Sequence, residues 1–335
     1  MNIDWEPLRE IIASNQRFTL SSHVRPDADA LGSELALARM LESQGKSVRI
    51  VNPSDAPASL AFLDSGGRVL KFGQGITAAE VQDADVHVIL DTSSWSQLQS
   101  LGTAIRESPA RKVVIDHHVS RDDLGAVEFK DTRSEATGAL VLQMAEALGL
   151  PIDDDSATYL FCAIATDTGW FRFPSTTSGT MRAAARLIDL GAEPHAIYRA
   201  LYEQRPPARL KLAGRVLSRV ELACDGRLAY TWVEWNDFVE TGARPVDTED
   251  LVNECLMIAG TQVAFIAVEQ IDRRIKVSLR SRTGTDVAAV AERFGGGGHK
   301  QAAGAILPGP PQSAIQTLLA ALKPALQESG TSDEP

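Results

Sequence analysis

The sequence predicts an α/β fold: a parallel-sheet domain with helices on both faces, followed by a smaller α+β domain. Short apolar runs that are typical of strands alternate with longer stretches of helical periodicity in the first half of the chain. Strands that are apolar throughout are typical of parallel sheets buried on both faces. A length of 335 residues also favours two domains over a single core.

The elements of the first domain follow one another in a regular order. The chain opens with an amphipathic segment, the strand-like runs are RFTLSSH, SVRIV, VHVIL and KVVID, and the helical stretches are ALGSELALARMLESQG, SWSQLQSLGTAIRE and EATGALVLQMAEALG. Gly45, Gly149 and Gly191 follow periodic runs, where a glycine commonly ends a helix. We therefore place the first domain at residues 1–190.

The second half has a different pattern. Helical periodicity continues until Pro206–Pro207 interrupts it, which predicts a helical linker at 191–215. The run ELACDGRLAYTWVE then predicts a hairpin that turns at Asp225–Gly226. A helix, two longer strands and a closing helix place the second domain at 216–327, and 328–335 are predicted to be a disordered acidic tail.

The composition limits the possible substrates. The formal net charge of −11 argues against a protein that holds long nucleic acids, because such proteins neutralise many phosphates with basic surface. A phosphorylated substrate would be small and bound by a few cations. The sequence has no apolar run of about 20 residues, and its opening lacks a signal-peptide pattern, so we expect a cytoplasmic protein without membrane contact.

Histidine and aspartate residues cluster in four short stretches, three of which end predicted strands. They are His23, Asp27 and Asp29; Asp91; Asp116, His117 and His118; and Asp167. The carboxyl ends of parallel strands meet at one sheet edge, so the first three stretches should converge there. So many buried carboxylates would be costly without cations to balance them. Carboxylate and imidazole ligands without thiolate favour Mn²⁺ or Mg²⁺ over Zn²⁺.

The spacing of Asp27 and Asp29 favours two ions over one. Two carboxylates two residues apart need an unusual bend to bind one ion, whereas two neighbouring ions let His23 join Asp27 while Asp29 faces the second. Each stretch alone is only weak evidence for a metal site, since an aspartate that ends a strand usually caps a helix or a turn. Of the remaining histidines, we expect His87 to be a core residue with satisfied hydrogen bonds and His195 to lie on the surface.

Two further stretches are candidates for binding phosphate. A glycine run can expose backbone N–H groups to an anion, and here cationic residues surround it. The predicted substrate contacts are Arg280, Ser281, Gly297, Gly298, His299 and Lys300. Arg133 and Ser134, before a helix predicted to start near Glu135, either offer a helix N-terminus to phosphate or make Ser134 an ordinary N-cap.

The four stretches together resemble the motifs of the DHH phosphoesterase superfamily. They appear in the family's order as HVRPDADALGS, LDTSS, DHH and ATDTG, and the second half resembles the DHH-associated domain with its GGGGHKQAAG ending. Within the superfamily the sequence is most similar to the bacterial nanoRNases, the bifunctional oligoribonucleases and pAp phosphatases.

The resemblance implies a role for each motif residue. It assigns His23, Asp27 and Asp91 to a first metal ion, and Asp29, Asp91, His117 and Asp167 to a second. Asp91 would bridge the two ions, Asp116 would orient His117, and His118 would lie near the substrate phosphate. The implied catalytic residues are thus Asp91, Asp116 and His118.

The resemblance also implies an activity. It is metal-dependent hydrolysis, by a metal-activated water, of short oligoribonucleotides, linear dinucleotides such as pApA and pGpG, and 3′-phosphoadenosine 5′-phosphate (pAp), by a homodimer. A soluble cyclic di-AMP phosphodiesterase and an inactive nucleotide-binding regulator remain alternatives. Longer-substrate RecJ-type exonucleases carry extra domains, and the superfamily's inorganic pyrophosphatases lack the glycine–histidine ending.

Overall fold

The computed structural model describes residues 3–282 and 284–329, and it divides into two compact units, 1–204 and 205–335. The division falls inside the segment 191–215, for which the sequence predicts a helical linker. Most of the predicted tail, 330–335, lies outside the described residues, whereas residues 328 and 329 end the last helix. No helix in the described part of the chain is both long enough and apolar enough to cross a membrane.

The first unit contains eight helices and six strands among its described residues. They are α1 (Glu6–Ser14), β1 (Arg17–Ser21), α2 (Ala28–Ser43), β2 (Ser47–Asn52), β3 (Val69–Lys71), α3 (Ala78–Gln82), β4 (Val86–Leu90), α4 (Trp95–Glu107), β5 (Arg111–Asp116), β6 (Val127–Lys130), α5 (Thr137–Leu148), α6 (Asp154–Asp167), α7 (Ser178–Asp189) and α8 (Pro194–Tyr202). A short 3₁₀ helix covers Ala58–Leu60.

The six strands form one parallel sheet in the order β3-β2-β1-β4-β5-β6. The direction of winding reverses between β1 and β4, and ligand crevices of open parallel sheets lie at such a reversal. The four strands predicted from the sequence are confirmed. Strands β3 and β6 were not predicted, because with 3 and 4 residues they are too short to show a clear pattern.

Helices cover both faces of this sheet, as predicted. Helices α2, α5 and α6 pack on one face, and α3 and α4 pack on the other. Helix α2 approaches α6 very closely at Gly32, where a Cβ atom would lie 2.5 Å from the Tyr159 carbonyl oxygen. This close packing leaves α2 buried on almost every side and fixes its N-terminus at the carboxyl edge of the sheet.

The two remaining histidines of this unit differ from each other. His195 is exposed, as predicted. His87 is buried in β4, but neither of its ring nitrogens has a hydrogen-bond partner among the described residues, so the expectation of satisfied hydrogen bonds was wrong. Burial lowers the pKa of His87 to about 4, and the ring is therefore neutral at neutral pH. A neutral imidazole in a strand avoids the larger cost of a buried charge.

The second unit contains five helices and six strands among its described residues. They are α9 (Pro207–Leu217), β7 (Glu221–Ala223), β8 (Leu228–Val233), α10 (Trp235–Thr241), α11 (Leu251–Leu256), β9 (Val263–Glu269), β10 (Ile275–Ser281), α12 (Val287–Glu292), β11 (Gly297–His299), β12 (Ala302–Leu307) and α13 (Pro311–Ser329). A second 3₁₀ helix covers Pro245–Thr248.

This unit is the α+β domain that the sequence predicts. Its mixed sheet has the order β11-β12-β10-β9-β8-β7, in which only the β8–β9 pair is parallel. Helices α12 and α13 cover one face, and α9, α10 and α11 cover the other. The predicted hairpin is confirmed, since β7 pairs with β8 across a turn in which Asp225 and Gly226 have φ values of 55° and 83°.

Candidate functional site

The loop after β1 supplies the first two candidate ligands. Asp27 caps helix α2, because its Oδ1 accepts the backbone N–H groups of Asp29 and Ala30 at 3.0 Å each. Its other oxygen, Oδ2, takes no part in this cap and lies 3.9 Å from His23 Nε2. His23 Nδ1 lies 3.0 Å from the Val24 carbonyl oxygen, and donation to this oxygen leaves Nε2 as an electron-pair donor. Asp27 is therefore both a helix cap and a candidate ligand.

Asp91 lies at the centre of the site, directly after β4. Its side chain is buried, and its backbone has a φ of 61°, a strained value for a residue other than glycine. Asp91 Oδ2 is 3.3 Å from His23 Nε2, and its Oδ1 is 3.5 Å from His117 Nε2. Thr137 Oγ1 donates to the same Oδ1 at 2.9 Å, which fixes the carboxylate between the two histidines.

Asp29 is held at the N-terminus of helix α5. Its carboxylate accepts the backbone N–H groups of Thr137 and Gly138 at 2.7 and 2.8 Å. The helix begins at Thr137 rather than near Glu135, and Ser134 does not cap it, since its hydroxyl donates to the Ala136 carbonyl.

Neither expectation for Arg133 and Ser134 therefore holds. The first N–H groups of α5 bind Asp29 rather than a phosphate, and Arg133 forms an ion pair with Asp131 at 2.7 Å. The carboxylate of Asp29, which is distant in the sequence, therefore binds the N-terminus of α5 in place of the local cap that the sequence suggested for Ser134.

His117 completes a second group of donors. Its Nε2 lies 3.5 Å from Asp167 Oδ2 and 3.8 Å from Asp29 Oδ2. Its Nδ1 lies 3.1 Å from the Ser134 carbonyl oxygen, and this bond fixes the ring with Nε2 facing the carboxylates. The expectation that Asp116 orients His117 was wrong, because consecutive side chains of an extended segment point to opposite sides.

Asp116 orients His118 instead. Its Oδ1 accepts His118 Nδ1–H at 2.9 Å, and its Oδ2 accepts Lys130 Nζ at 2.8 Å, with a further hydrogen bond from Ser93. Burial favours a raised pKa for Asp116, but the bonds from His118, Lys130 and Ser93 hold that pKa below its usual range. The bond to Asp116 raises the pKa of His118, which favours the imidazolium form.

Lys130 was missed from the sequence. It ends the unpredicted strand β6, and a single lysine in the run VEFKD gives no signal of its own. Only the parallel pairing of β5 with β6, which places Asp116 opposite Lys130, brings the two side chains together.

The carboxylates of the first unit form a site suited to divalent cations. Three sets of side chains each offer ligand atoms within 4.8 Å of one another: His23, Asp27 and Asp91; Asp29, His117 and Asp167; and Asp91, His117 and His118. Burial, followed by repulsion from neighbouring carboxylates, raises the pKa values of Asp29 and Asp91, and raises that of Asp167 to about 7. Such crowding is stable when cations balance it, so the donor set fits hard or borderline divalent ions.

The predicted substrate residues of the second unit lie on β10, on β11 and at the end of β11. Arg280 is half-buried and lines a cavity of about 300 Å³ with Lys276 and Ser278, while Ser281 is buried. His299 and Lys300 are exposed.

The glycine run forms an edge strand rather than an open loop, since Gly297 and Gly298 pair with Gly304 and Ala303 of β12. A Cβ atom on Gly298 would lie 2.4 Å from the Ala302 carbonyl oxygen, so close strand pairing already requires this glycine.

Comparison with known proteins identifies the family. A model of the N-terminal domain of the DHH family matches residues 17–164, and a DHHA1 domain model matches residues 225–328. The chain is 31% identical to the bifunctional oligoribonuclease and PAP phosphatase NrnA of Thermus thermophilus, an alignment that covers 97% of this chain and 96% of the relative. The chain belongs to the DHH family.

Other similarities extend over most of the chain. The NrnA protein of Bacillus subtilis is 27% identical over 85% of this chain and 88% of its own length. The crystal structure of an exopolyphosphatase-related protein from Bacteroides fragilis has a TM-score of 0.87 and 27% identity, and the match covers 95% of both chains. Both units of this DHH family member therefore have counterparts in known relatives.

A buried polar network supports the first motif of the DHH domain. Glu34 on α2 is buried, and its Oε2 accepts Asn52 Nδ2 at 2.8 Å, while its Oε1 has no partner among the described residues. Asn52 Oδ1 accepts the backbone N–H of Ser22 at 2.8 Å, one residue before His23. Burial raises the pKa of Glu34 to about 8, so the side chain is largely protonated at neutral pH.

This network predicts a pH-dependent stability. Between pH 4.5 and about 8 the folded protein keeps a proton on Glu34 that the unfolded chain has lost, so the free energy of unfolding should fall as the pH rises through that window. Glu34→Gln, which mimics the neutral acid, should remove this slope and stabilise the protein at pH 8 by a few kcal/mol, at about 1.4 kcal/mol per pKa unit. Urea unfolding at several pH values measures the difference, and equal slopes for parent and variant would contradict the assignment.

Proposed function

We propose that this DHH family member is a metal-dependent phosphoesterase that hydrolyses short oligoribonucleotides, linear dinucleotides and pAp. The observation that carries the proposal is the position of Asp91, whose two carboxylate oxygens face His23 on one side and His117 on the other. The substrate class is supported by relatives named as oligoribonucleases and PAP phosphatases, which align over 97% and 85% of this chain.

The two donor groups would hold one divalent ion each. His23, Asp27 and Asp91 are the ligands proposed for one ion, and Asp29, Asp91, His117 and Asp167 are those proposed for the other. Their chemistry favours Mn²⁺, with Mg²⁺ as the second choice. Two such ions would supply charge neutralisation on a phosphoryl oxygen and an acidified water as the nucleophile.

The residues around the donors have complementary roles. Asp116 fixes the His118 ring through Nδ1, so that Nε2–H is free to donate to a phosphoryl oxygen of the substrate. Lys130 neutralises Asp116 from the other side and keeps its carboxylate ionised. The imidazolium of His118 therefore stays charged while it binds the phosphate.

The second domain would bind the rest of the nucleotide. The residues proposed for this are Arg280, Ser281, Gly297, Gly298, His299 and Lys300. Arg280 and Lys300 are the only Lys or Arg residues in this proposed set, which, together with a net charge of −11 for the whole chain, suits a substrate of a few nucleotides and not a long RNA.

A substrate panel tests the proposal. With Mn²⁺, the purified protein should release phosphate from pAp and mononucleotides from pApA, pGpG and a five-nucleotide RNA, and it should leave a long RNA intact. Preferred cleavage of cyclic di-AMP would replace the proposal with a cyclic dinucleotide phosphodiesterase. Binding of these nucleotides without any turnover would indicate a regulator.

Metal binding should depend on pH. Protons on Asp167, whose pKa is raised to about 7, and on the buried Asp29 and Asp91 compete with a cation. We expect the affinity for Mn²⁺ to rise as the pH increases from 6 to 8, by up to about tenfold per pH unit for each displaced proton below the pKa of its group, with the contribution of Asp167 levelling off above about pH 7. Titration calorimetry in two buffers of different ionisation enthalpy should detect proton release. An affinity that stays constant across this range would contradict the protonation scheme.

A further inference from the structure

Arg25 has a strained backbone in the middle of the first motif. Its φ is 56°, in the left-handed region that an arginine rarely adopts. Two long-range hydrogen bonds hold it there: its N–H donates to Ser54 Oγ at 2.7 Å, and the N–H of Val24 donates to the Gln97 carbonyl at 2.8 Å. Strain that the surrounding structure maintains in this way is typical of functional positions.

The side chain of Arg25 is exposed, and its guanidinium has no ion pair with any residue in the described part of the chain. Asp27 follows two residues later, so the Cα atoms of Arg25 and Asp27 are at most about 7 Å apart. A second arginine with a left-handed backbone, Arg273 with a φ of 66°, binds Glu269 at 2.8 Å. Arg25 therefore carries a positive charge that no described residue balances, two residues from each of the candidate ligands His23 and Asp27.

Charge balance indicates what this cation binds. Two divalent cations would balance the four ligand carboxylates, and Lys130 already balances Asp116. A phosphate beyond the one being hydrolysed therefore needs a cation outside this group, and the candidates are Arg25 and the basic residues proposed in the second unit, Arg280 and Lys300. The substrates pAp and pApA share such a group: when pApA yields two 5′-monophosphates, both reactions break a bond between phosphorus and the 3′ oxygen of a nucleoside that carries a 5′-phosphate.

We infer that Arg25 binds the 5′-phosphate of the nucleotide whose 3′ ester is cleaved, an inference that rests on the function proposed above. This explains how one site acts on a phosphomonoester and on a phosphodiester. The glycine run of the second unit is the competing site for that phosphate, but its Gly296 and Gly298 are already required by close contact with β12. Arg25 has no such structural role within the described part of the chain, since its side chain forms no ion pair there and its backbone would be less strained as glycine.

The test compares pApA with ApA, which lacks the 5′-phosphate. Arg25→Ala should raise the KM for pApA and lower its kcat/KM roughly 10- to 100-fold, the usual effect of losing a charge-assisted hydrogen bond. The kcat/KM for ApA should change by less than about twofold. Arg25→Lys should recover part of the preference for pApA, because it restores the charge without the two-pronged geometry.

Arg25→Gly separates binding from folding. Because glycine accepts the left-handed backbone, this variant should unfold at a temperature equal to or above that of the parent, while it loses the preference for pApA as Arg25→Ala does. Arg273→Gly is the matched control: it relieves the same kind of backbone in the second unit and should leave the preference unchanged.

Three results would overturn the inference while leaving the proposed function intact. One is an equal loss on pApA and ApA in Arg25→Ala, which would place Arg25 at the scissile phosphate. Another is loss of the pApA preference in His299→Ala but not in Arg25→Ala. The third is a parent protein that hydrolyses both dinucleotides equally well. If the parent hydrolyses neither, the proposed function itself fails.

Discussion

Replacing Asp91 with asparagine should abolish turnover of pAp, pApA and pGpG alike, with a loss of roughly 10³-fold or more in kcat. One carboxylate faces both donor groups, so a neutral amide weakens both ion sites at once. The amide retains the size of the side chain and can still accept from Thr137, so the fold should remain. Steady-state kinetics and metal analysis of the same preparation measure the two effects together.

Asp85 provides a control for this variant. It lies just before β4, at the opposite end of the same strand, where it pairs with Arg17. Asp85→Asn should lower the stability modestly and leave both turnover and metal content unchanged. If Asp91→Asn retains full metal content and at least a tenth of the parent's kcat, Asp91 does not serve both ions.

Replacing Asp116 with asparagine should reduce kcat roughly 100-fold and leave metal binding intact. Asparagine cannot supply the negative charge that holds His118 as an imidazolium, and it leaves Lys130 without its counter-ion in a mostly buried position. The His118 pKa, which the bond to Asp116 raises, should fall in the variant. The loss of activity should therefore be greatest at pH values between the His118 pKa of the variant and that of the parent, where the ring is neutral in the variant and still charged in the parent.

Lys130→Met is the comparison for this second prediction. It keeps the Asp116–His118 bond but removes the cation behind it, so its effect on kcat should be smaller, about 10-fold. Combining Asp116→Asn with Lys130→Met should cost less than the sum of the two single effects, because the two side chains form one network. Additive effects of the two substitutions on kcat would refute the network, and so would loss of metal from the single variant Asp116→Asn.

The fold could be predicted because its long strands have a strong pattern. The apolar runs that became β1, β4 and β5 each end in a motif, so the convergence of His23, Asp91 and Asp116 at one sheet edge follows from parallel topology alone. Helix α2 begins at Ala28, two residues before the predicted stretch ALGSELALARMLESQG, where the Asp27 side chain caps it.

What could not be predicted depends on contacts between distant segments. Asp116 contacts His118 and not His117 because side chains alternate in direction at the end of β5. Its second partner, Lys130, lies on a strand of only four residues. The cap of α5 comes from Asp29, more than a hundred residues earlier in the chain. The glycine run became a strand because β12 packs against it, a tertiary effect that overrides the local preference of glycine for loops. Arg25 gives no signal in the sequence, since its strain exists only in the folded loop.

Two divalent cations should share one pocket around Asp91, and anomalous diffraction from crystals soaked in Mn²⁺ can locate them. We expect two manganese peaks about 3.5 to 4 Å apart, with Asp91 in contact with both, His23 and Asp27 on one, and Asp29, His117 and Asp167 on the other. A single peak at saturating Mn²⁺, or two peaks that do not share Asp91, would contradict it.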